Sequence, residues 1–347
     1  MKKFLSIALA LLMVCVMLPV VALAAEKTAS TYEELKSAIS TANDGDTIKL
    51  LADIDLSQTI TVNKTITLNM NGKKLYNTSD LWDKPTAEDD NWSLISVRSS
   101  GNLTITGNGT FAAKENDCYA VDVQESATVT IKNGTFIGNI HAVYVFAGTA
   151  NVEGGTYSVQ QKYPDSAKGD EFVLNCYDAN RANGTAHINV TGGTFKNFNP
   201  ADNKAEGEGN NFADNSLVVQ KNNTVQNNDY YVGNAANEVI AAASKGEEIF
   251  VLNGTTLTNV PAGVIIQNRT GDRITVNGKD VELTGDAGYT VPASNITIIV
   301  PGDTTPAETP KTDDQKNPST GANDFVGLAA AAAVVALLGS AVVLRKK

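Results

Sequence analysis

The sequence predicts an all-β chain wound as a parallel β-helix, with an N-terminal capping helix, a small C-terminal α/β unit and a single C-terminal hydrophobic helix. Three observations predict it. Residues 127–136 read Ala-Thr-Val-Thr-Ile-Lys-Asn-Gly-Thr-Phe, and close copies recur at 103–111, 151–157 and 188–195. Each copy alternates apolar and polar residues, turns at Gly109, Gly134, Gly155 or Gly193, and ends on Thr plus an aromatic. Those glycines are 25, 21 and 38 residues apart. A unit of that size cannot bury its own apolar face and is stable only when stacked on its neighbours. An amphipathic helix precedes the repeats, as an open solenoid end needs a cover for its core and its unpaired strand edge.

Residues 1–24 have the form of a secretory signal. Lys2 and Lys3 precede an apolar run from Phe4 to Val21, and Ala22-Leu23-Ala24 supplies the small-x-small pattern that a signal peptidase needs. The mature chain is expected to begin near Ala25. Thr31 with Glu34 then makes a capping box for a helix over about 32–42, whose stripe is Leu35, Ala38, Ile39 and Ala42. Asn43-Asp44-Gly45-Asp46 turns the chain into alternating strands at Ile48, Leu50, Ile60, Val62, Ile66 and Leu68. Neither Asp44-Gly45-Asp46 nor the acidic loop over 201–214 fits the spacing of an EF-hand, so both are read as solvated turns.

A second strand fits each coil at Leu94-Ile-Ser-Val97, Ala120-Val-Asp-Val123, Ala142-Val-Tyr-Val145, Phe172-Val-Leu174 and Leu217-Val-Val219. Phe111, Phe136, Tyr157 and Phe195 are expected to stack one above another, and Thr110, Thr135, Thr156 and Thr194 to form a parallel hydroxyl ladder. With the opening helix, Gly45-Asp46-Thr47-Ile48 and this turn ladder, residues 30–224 resemble the right-handed parallel β-helix of the pectin-lyase-like superfamily. An immunoglobulin-like sandwich is the rival, but its strands would not repeat one turn signature at one position. Residues 25–228 are therefore assigned to the β-helix. In 229–300 the helix-to-strand opening returns: Ala236, Val239, Ile240 and Ala243 stand before Gly246 as Leu35, Ala38, Ile39 and Ala42 stand before Gly45.

Residues 301–320 form a Pro- and Thr-rich stalk that ends in Asn317-Pro318-Ser319-Thr320-Gly321, and 321–347 carry an apolar segment and Arg345-Lys346-Lys347. This order resembles the Gram-positive cell-wall sorting signal. The resemblance implies a sortase and peptidoglycan as partners, with the cut between Thr320 and Gly321. Asn317 stands where the commonest form has Leu, which leaves the sortase class open. The alternative is a membrane tail anchor, and both readings put the body outside the cell. Between the two processed ends 22 basic and 37 acidic residues remain, a formal charge of −15. Nucleic acid and anionic membrane surface are poor partners for such a body. Cys118 and Cys176 fall at different coil positions two coils apart and are read as buried thiols.

Coil lengths locate the candidate site. The connections at 76–93, 158–171 and 197–216 are long, whereas 112–118 and 137–141 are brief, so together they should make a trough along one edge. Trp82 and Trp92 stand in the first wall and Tyr163 in the second, with Glu115, Asp117 and His141 on the floor. Aromatic rings beside carboxylates and amides suit a sugar, whose faces stack and whose edges hydrogen-bond. The alternative is that the two tryptophans pin a long loop to the solenoid. Glu115 and Asp117 are the weak catalytic candidates, because glycoside hydrolysis needs facing carboxylates about 5 to 10 Å apart. Gly-His-Gly and Asn-Thr-Asp signatures of polygalacturonase type are absent. His141 and His187 are the only histidines, too few for a metal site, and no cofactor is expected. The expected function is a wall-anchored surface protein that binds glycans or a host surface ligand. A carbohydrate-active enzyme, lyase or hydrolase, is the first alternative, and a structural or protein-binding module the second.

If the sorting motif operates, wall digests yield a C-terminal peptide that ends at Thr320 joined to a peptidoglycan fragment, and Thr320→Ala releases the protein or leaves it in the membrane. Mass spectrometry of that peptide decides. Mature protein that keeps Lys347 contradicts the reading.

Overall fold

The computed structural model describes residues 24–81, 93–114, 118–161, 172–201, 212–213, 216–221, 229–233, 236–252, 256–282 and 287–293. The expected signal segment up to residue 23, and the expected stalk, sorting motif and hydrophobic tail, lie outside the described residues. Among the described residues no helix is long and apolar enough to cross a membrane.

Predominantly β, the chain visits three sheets in turn and repeats the circuit. The first sheet holds seven strands, from Glu26–Ala29 and Thr47–Leu50 through Asn102–Thr106 and Thr128–Ile131 to Ala186–Val190. The second runs from Ile54–Asp55 through Thr110–Ala112, Thr135–Gly138 and Thr156–Val159 to Gly193–Lys196, and then continues. The third holds Ile60–Val62, Ser93–Val97, Tyr119–Val123, Val143–Val145 and Leu174–Cys176. Up to Gly193–Lys196 every pairing within these sheets is parallel and in register. The first sheet buries alternate residues and the third nearly every one; Ile105, Ile131 and Val152 from the first meet Ile95, Val121 and Val143 from the third in one continuous core.

The circuit has one more wall than the sequence suggests. The Thr-aromatic pair that closes each repeat is itself a strand of the second sheet, and the expected second strand lies in the third. Thr110, Thr135, Thr156 and Thr194 are register partners, and so are Phe111, Phe136, Tyr157 and Phe195. The four rings are fully buried and stacked, with centroids 4.8, 5.1 and 5.0 Å apart and planes within 13°. That spacing is the distance between hydrogen-bonded strands, about 4.8 Å, so the backbone ladder delivers the rings at stacking distance. The turn glycines make room for them. At Gly155 (φ +102°) an added Cβ would stand 3.0 Å from the Gly134 carbonyl oxygen and 3.1 Å from the Tyr157 hydroxyl. Gly109 lies outside the left-handed region, but a Cβ there would come within 2.3 Å of the Met70 Cβ.

At the start, helix α1 (Tyr32–Ser40) buries Leu35, Ala38 and Ile39 against the core, and Ala42 is buried just past its end. Thr31 Oγ1 accepts from the Glu34 amide at 3.2 Å, and the Glu34 carboxylate accepts from the Ser30 amide at 2.7 Å, one residue earlier than in a standard capping box. Glu26–Ala29, which carries no sequence signal of its own, pairs with Thr47–Leu50 and adds a strand ahead of the helix. Asp44 is exposed, as a solvated turn requires, but Asp46 is not. Its side chain is buried and accepts from the amides of Ala25 at 2.8 Å and Asn43 at 3.0 Å. Helix α2 (Asp178–Ala182) joins the third sheet back to the first.

Beyond Lys196 the second sheet changes direction. Leu217–Lys221, expected as a further copy of the second strand, pairs antiparallel with Asp229–Gly233 and Glu248–Val251. Val218 joins the solenoid core, whereas Leu217 and Val219 face a second core with Val239, Ile249, Val264 and Ile266. Helix α3 (Ala236–Ala242) and Glu248–Val251 repeat the opening at atomic detail. Ser244 donates its amide to Glu247 at 2.7 Å as Asn43 donates to Asp46, and Gly246 (φ +86°) matches Gly45 (φ +91°).

Phe136→Ala removes the middle of the aromatic stack and should cost roughly 3 to 5 kcal/mol, the usual range for truncating a buried Phe. Lys132→Ala, at an exposed position, should change stability by no more than about 0.5 kcal/mol. Denaturant unfolding of both variants checks the difference, and equal effects would contradict a ring stack that bears on stability.

Candidate functional site

The third sheet carries one line of residues on the face turned away from the core. Strand alternation sends Ile95 and Val97, Val121 and Val123, Val143 and Val145, and Leu174 and Cys176 inward, all buried. The residues between them form one column on the face away from the core, Ser96, Asp122, Tyr144 and Asn175, in register across four strands, and of these Ser96, Asp122 and Asn175 are buried. Spacing along that column is set by the ladder at about 4.8 Å.

Asp122 is buried and well supplied with donors. Ser96 Oγ donates to its Oδ2 at 3.0 Å, Arg98 Nε donates to Ser96 Oγ at 2.9 Å, and Gln124 Nε2 reaches Oδ1 at 2.9 Å and Oδ2 at 3.0 Å. A buried carboxylate is tolerable only with such partners, and hydrogen bonds to it are among the stronger ones.

His141 lies at the foot of the next strand, also buried. Its Nδ1 is 2.7 Å from the Phe172 carbonyl oxygen, which can only accept, so Nδ1 carries the proton. Nε2 is thereby the acceptor for Asn175 Nδ2 at 3.2 Å. Burial pushes its pKa down to about 4, against the weaker opposing pull of the Phe172 and Ile140 backbone. The ring packs against Tyr144 at 5.4 Å and Tyr119 at 5.1 Å, and the two tyrosines meet at 4.9 Å. Asn175 Oδ1 and Ser93 Oγ, both buried, hold no hydrogen bond among the described residues.

One residue beyond each inward strand end, a second column follows: Gln124, Phe146 and Tyr177, whose amides donate to Val97, Val123 and Val145 at 2.9 Å each. Phe146 and Tyr177 are 39% and 43% exposed, and their rings stack at 4.8 Å and 24°. Asn180 of α2 donates to the Phe146 carbonyl at 2.7 Å and ties the helix to this pair. Tyr177 follows the last strand of the third sheet, and Phe146 is the ring it meets.

Of the site residues expected from sequence, His141 is described and lies in this cluster. Trp82, Trp92, Glu115, Asp117 and Tyr163 lie outside the described residues. All five fall, in chain order, between a strand of the second sheet and the next strand of the third. His187 is exposed on the first sheet and accepts no role in the cluster. Sequence reasoning missed Ser96, Asp122, Tyr144, Asn175, Phe146 and Tyr177, although the first three stand in the quoted strand motifs. The signal was the parity: one residue of polar character between two apolar ones in copy after copy marks a column on the face away from the core.

Cys118 and Cys176 are both free and buried, as the coil spacing implies, and burial pushes each thiol up to about 12. Among the described residues no three His, Cys, Asp or Glu side chains gather as a metal ion would need. No family model, curated protein or solved structure matches the chain.

With a folded pKa near 4 and an unfolded one near 6.5, the unfolded chain takes up the His141 proton first. Stability is therefore fully present above about pH 6.5 and falls as pH drops toward 4, by about 3 kcal/mol in total. His141→Gln should flatten that window in denaturant midpoints taken across pH. A His141 ring that titrates near 6.5 by NMR would contradict the arrangement.

Proposed function

We propose that this chain is a cell-wall-attached surface protein whose solenoid binds glycans through the outer face of the third sheet. The fold supports the finer assignment to the right-handed, pectin-lyase-like class, in which coils pass through three parallel sheets. The export signal and sorting motif expected from the sequence support a body attached to the cell wall, outside the cell.

The observation that carries the reading is the exposed, stacked pair Phe146 and Tyr177 beside the hydrogen-bonded column of Asp122, Tyr144 and Asn175. Apolar ring surface at the rim with oriented amides and hydroxyls next to it suits a pyranose, which offers C–H faces and hydroxyl edges. Binding is favoured over turnover because the polar groups are already engaged. Both nitrogens of His141 hold partners, and both oxygens of Asp122 accept hydrogen bonds. A general acid or base needs a free position toward the substrate.

The test uses the secreted protein and a panel of neutral and acidic host and plant glycans, with and without calcium. Retention without products, weakened at least tenfold by Tyr177→Ala with little change in stability, is the expected outcome. New reducing ends or unsaturated products would make the protein an enzyme. Absence of both retention and products would leave a structural or protein-binding module.

A further inference from the structure

We infer that hydrolysis of the Ala24–Ala25 bond completes the solenoid's first coil by creating an ion pair between the new α-ammonium of Ala25 and the buried carboxylate of Asp46. The site is already built. Ala25 N lies 2.8 Å from Asp46 Oδ1, while Oδ2 accepts from the Asn43 amide at 3.0 Å. The Ala25 carbonyl accepts from the Thr47 amide at 2.9 Å, so the residue is held on both sides of its Cα. Asp46 is 2% exposed. Among the described residues no lysine or arginine pairs with it. Lys27, on the same first strand, and Lys64, before the next strand of the first sheet, act on it only at longer range. Lys64 already donates to the carbonyls of Ser40 and Ala42 at 2.7 Å each, and Asp44 accepts from the Thr65 amide.

The chemistry is the ordinary hydrolysis of an amide by a membrane peptidase. Water adds to the Ala24 carbonyl and the C–N bond breaks. Ala24 leaves with the leader as a carboxylate, and the Ala25 nitrogen keeps the electron pair and becomes an ammonium. Ala22-Leu23-Ala24 supplies the small-x-small pattern immediately before that bond, and Ala24 and Ala25 are exposed. In the precursor the same nitrogen is a neutral amide donor. The acceptor is a carboxylate before and after the cut; ionising the donor as well adds a Coulomb attraction that a neutral amide cannot supply. Asp46 closes the turn that brings α1 onto the core, so the strengthened contact secures the strand, the turn and the capping helix together. The cap reaches its full strength only once the leader is gone.

N-terminal sequencing of the secreted protein should begin at Ala25. After reductive methylation with a carbon-13 label, the α-amine of the wild-type protein should titrate above the ordinary range of about 7.7 to 8.0, and Asp46→Asn should return it to that range. The sign follows from linkage: the pair contributes stability below the ordinary value and loses it as pH rises through the raised one. A mature chain that begins elsewhere overturns the inference. So does a wild-type α-amine that titrates at or below the ordinary value, a measurement that needs no variant to fold.

Discussion

Register is the constraint on which the rest of this molecule depends. A parallel ladder brings each coil about 4.8 Å above the last, and a slip of one residue would exchange every inward side chain for an outward one. The stack of Phe111, Phe136, Tyr157 and Phe195 is where that constraint is most visible, since flat rings at 4.8 to 5.1 Å tolerate no slip. Tyr157 adds a second lock: its hydroxyl donates to the Gly154 carbonyl at 2.5 Å and so ties the ring to its own turn. Glycine at that turn is then a consequence of the stack, because a side chain there would compete with the ring for space.

A repeating structure still has to end, and the two ends solve the problem with related parts. At the start, α1 covers the core and Asp46 gathers the amides of Ala25 and Asn43. At the far end the second sheet turns antiparallel, and Leu217–Lys221 sends alternate residues into two cores. There α3 and Glu247 reuse the opening device to begin a new layer instead of closing the old one. An antiparallel turn stops the coil while keeping the strand edge paired, which matters because an unpaired edge invites another chain.

The outer face of the third sheet is where register builds the candidate site. Four strands separated by long connections each contribute one outward residue, and the ladder lines them up without any local motif. The inward neighbours are Val, Ile, Leu and Cys packed in the core, so the column stands on a rigid base. Polar groups on such a base are pre-oriented, which lowers the entropy lost when a ligand binds.

Much of the fold was legible in the sequence. The Asn-Gly-Thr-Phe phrase fixed the turn, the aromatic stack and the threonine ladder, because strand alternation and glycine turns are local and repeat in the chain as they do in space. The capping helix was legible from Thr31, Glu34 and its apolar stripe, and the second opening from its match in residues 236–252. Three walls instead of two were not, since a three-residue strand such as Thr110–Ala112 is too short for its alternation to be told from a turn. Nor was the burial of Asp46, which comes from a strand about twenty residues earlier, on the far side of the capping helix in the chain. The column of Ser96, Asp122, Tyr144 and Asn175 was hidden for the same reason. Its members are 22 to 31 residues apart, and only the pairing of whole coils decides that they meet. Sequence by itself determined what each coil is, because side-chain alternation and turn geometry act over a few residues; tertiary structure alone decided which residues of different coils become neighbours, because that depends on register across the ladder.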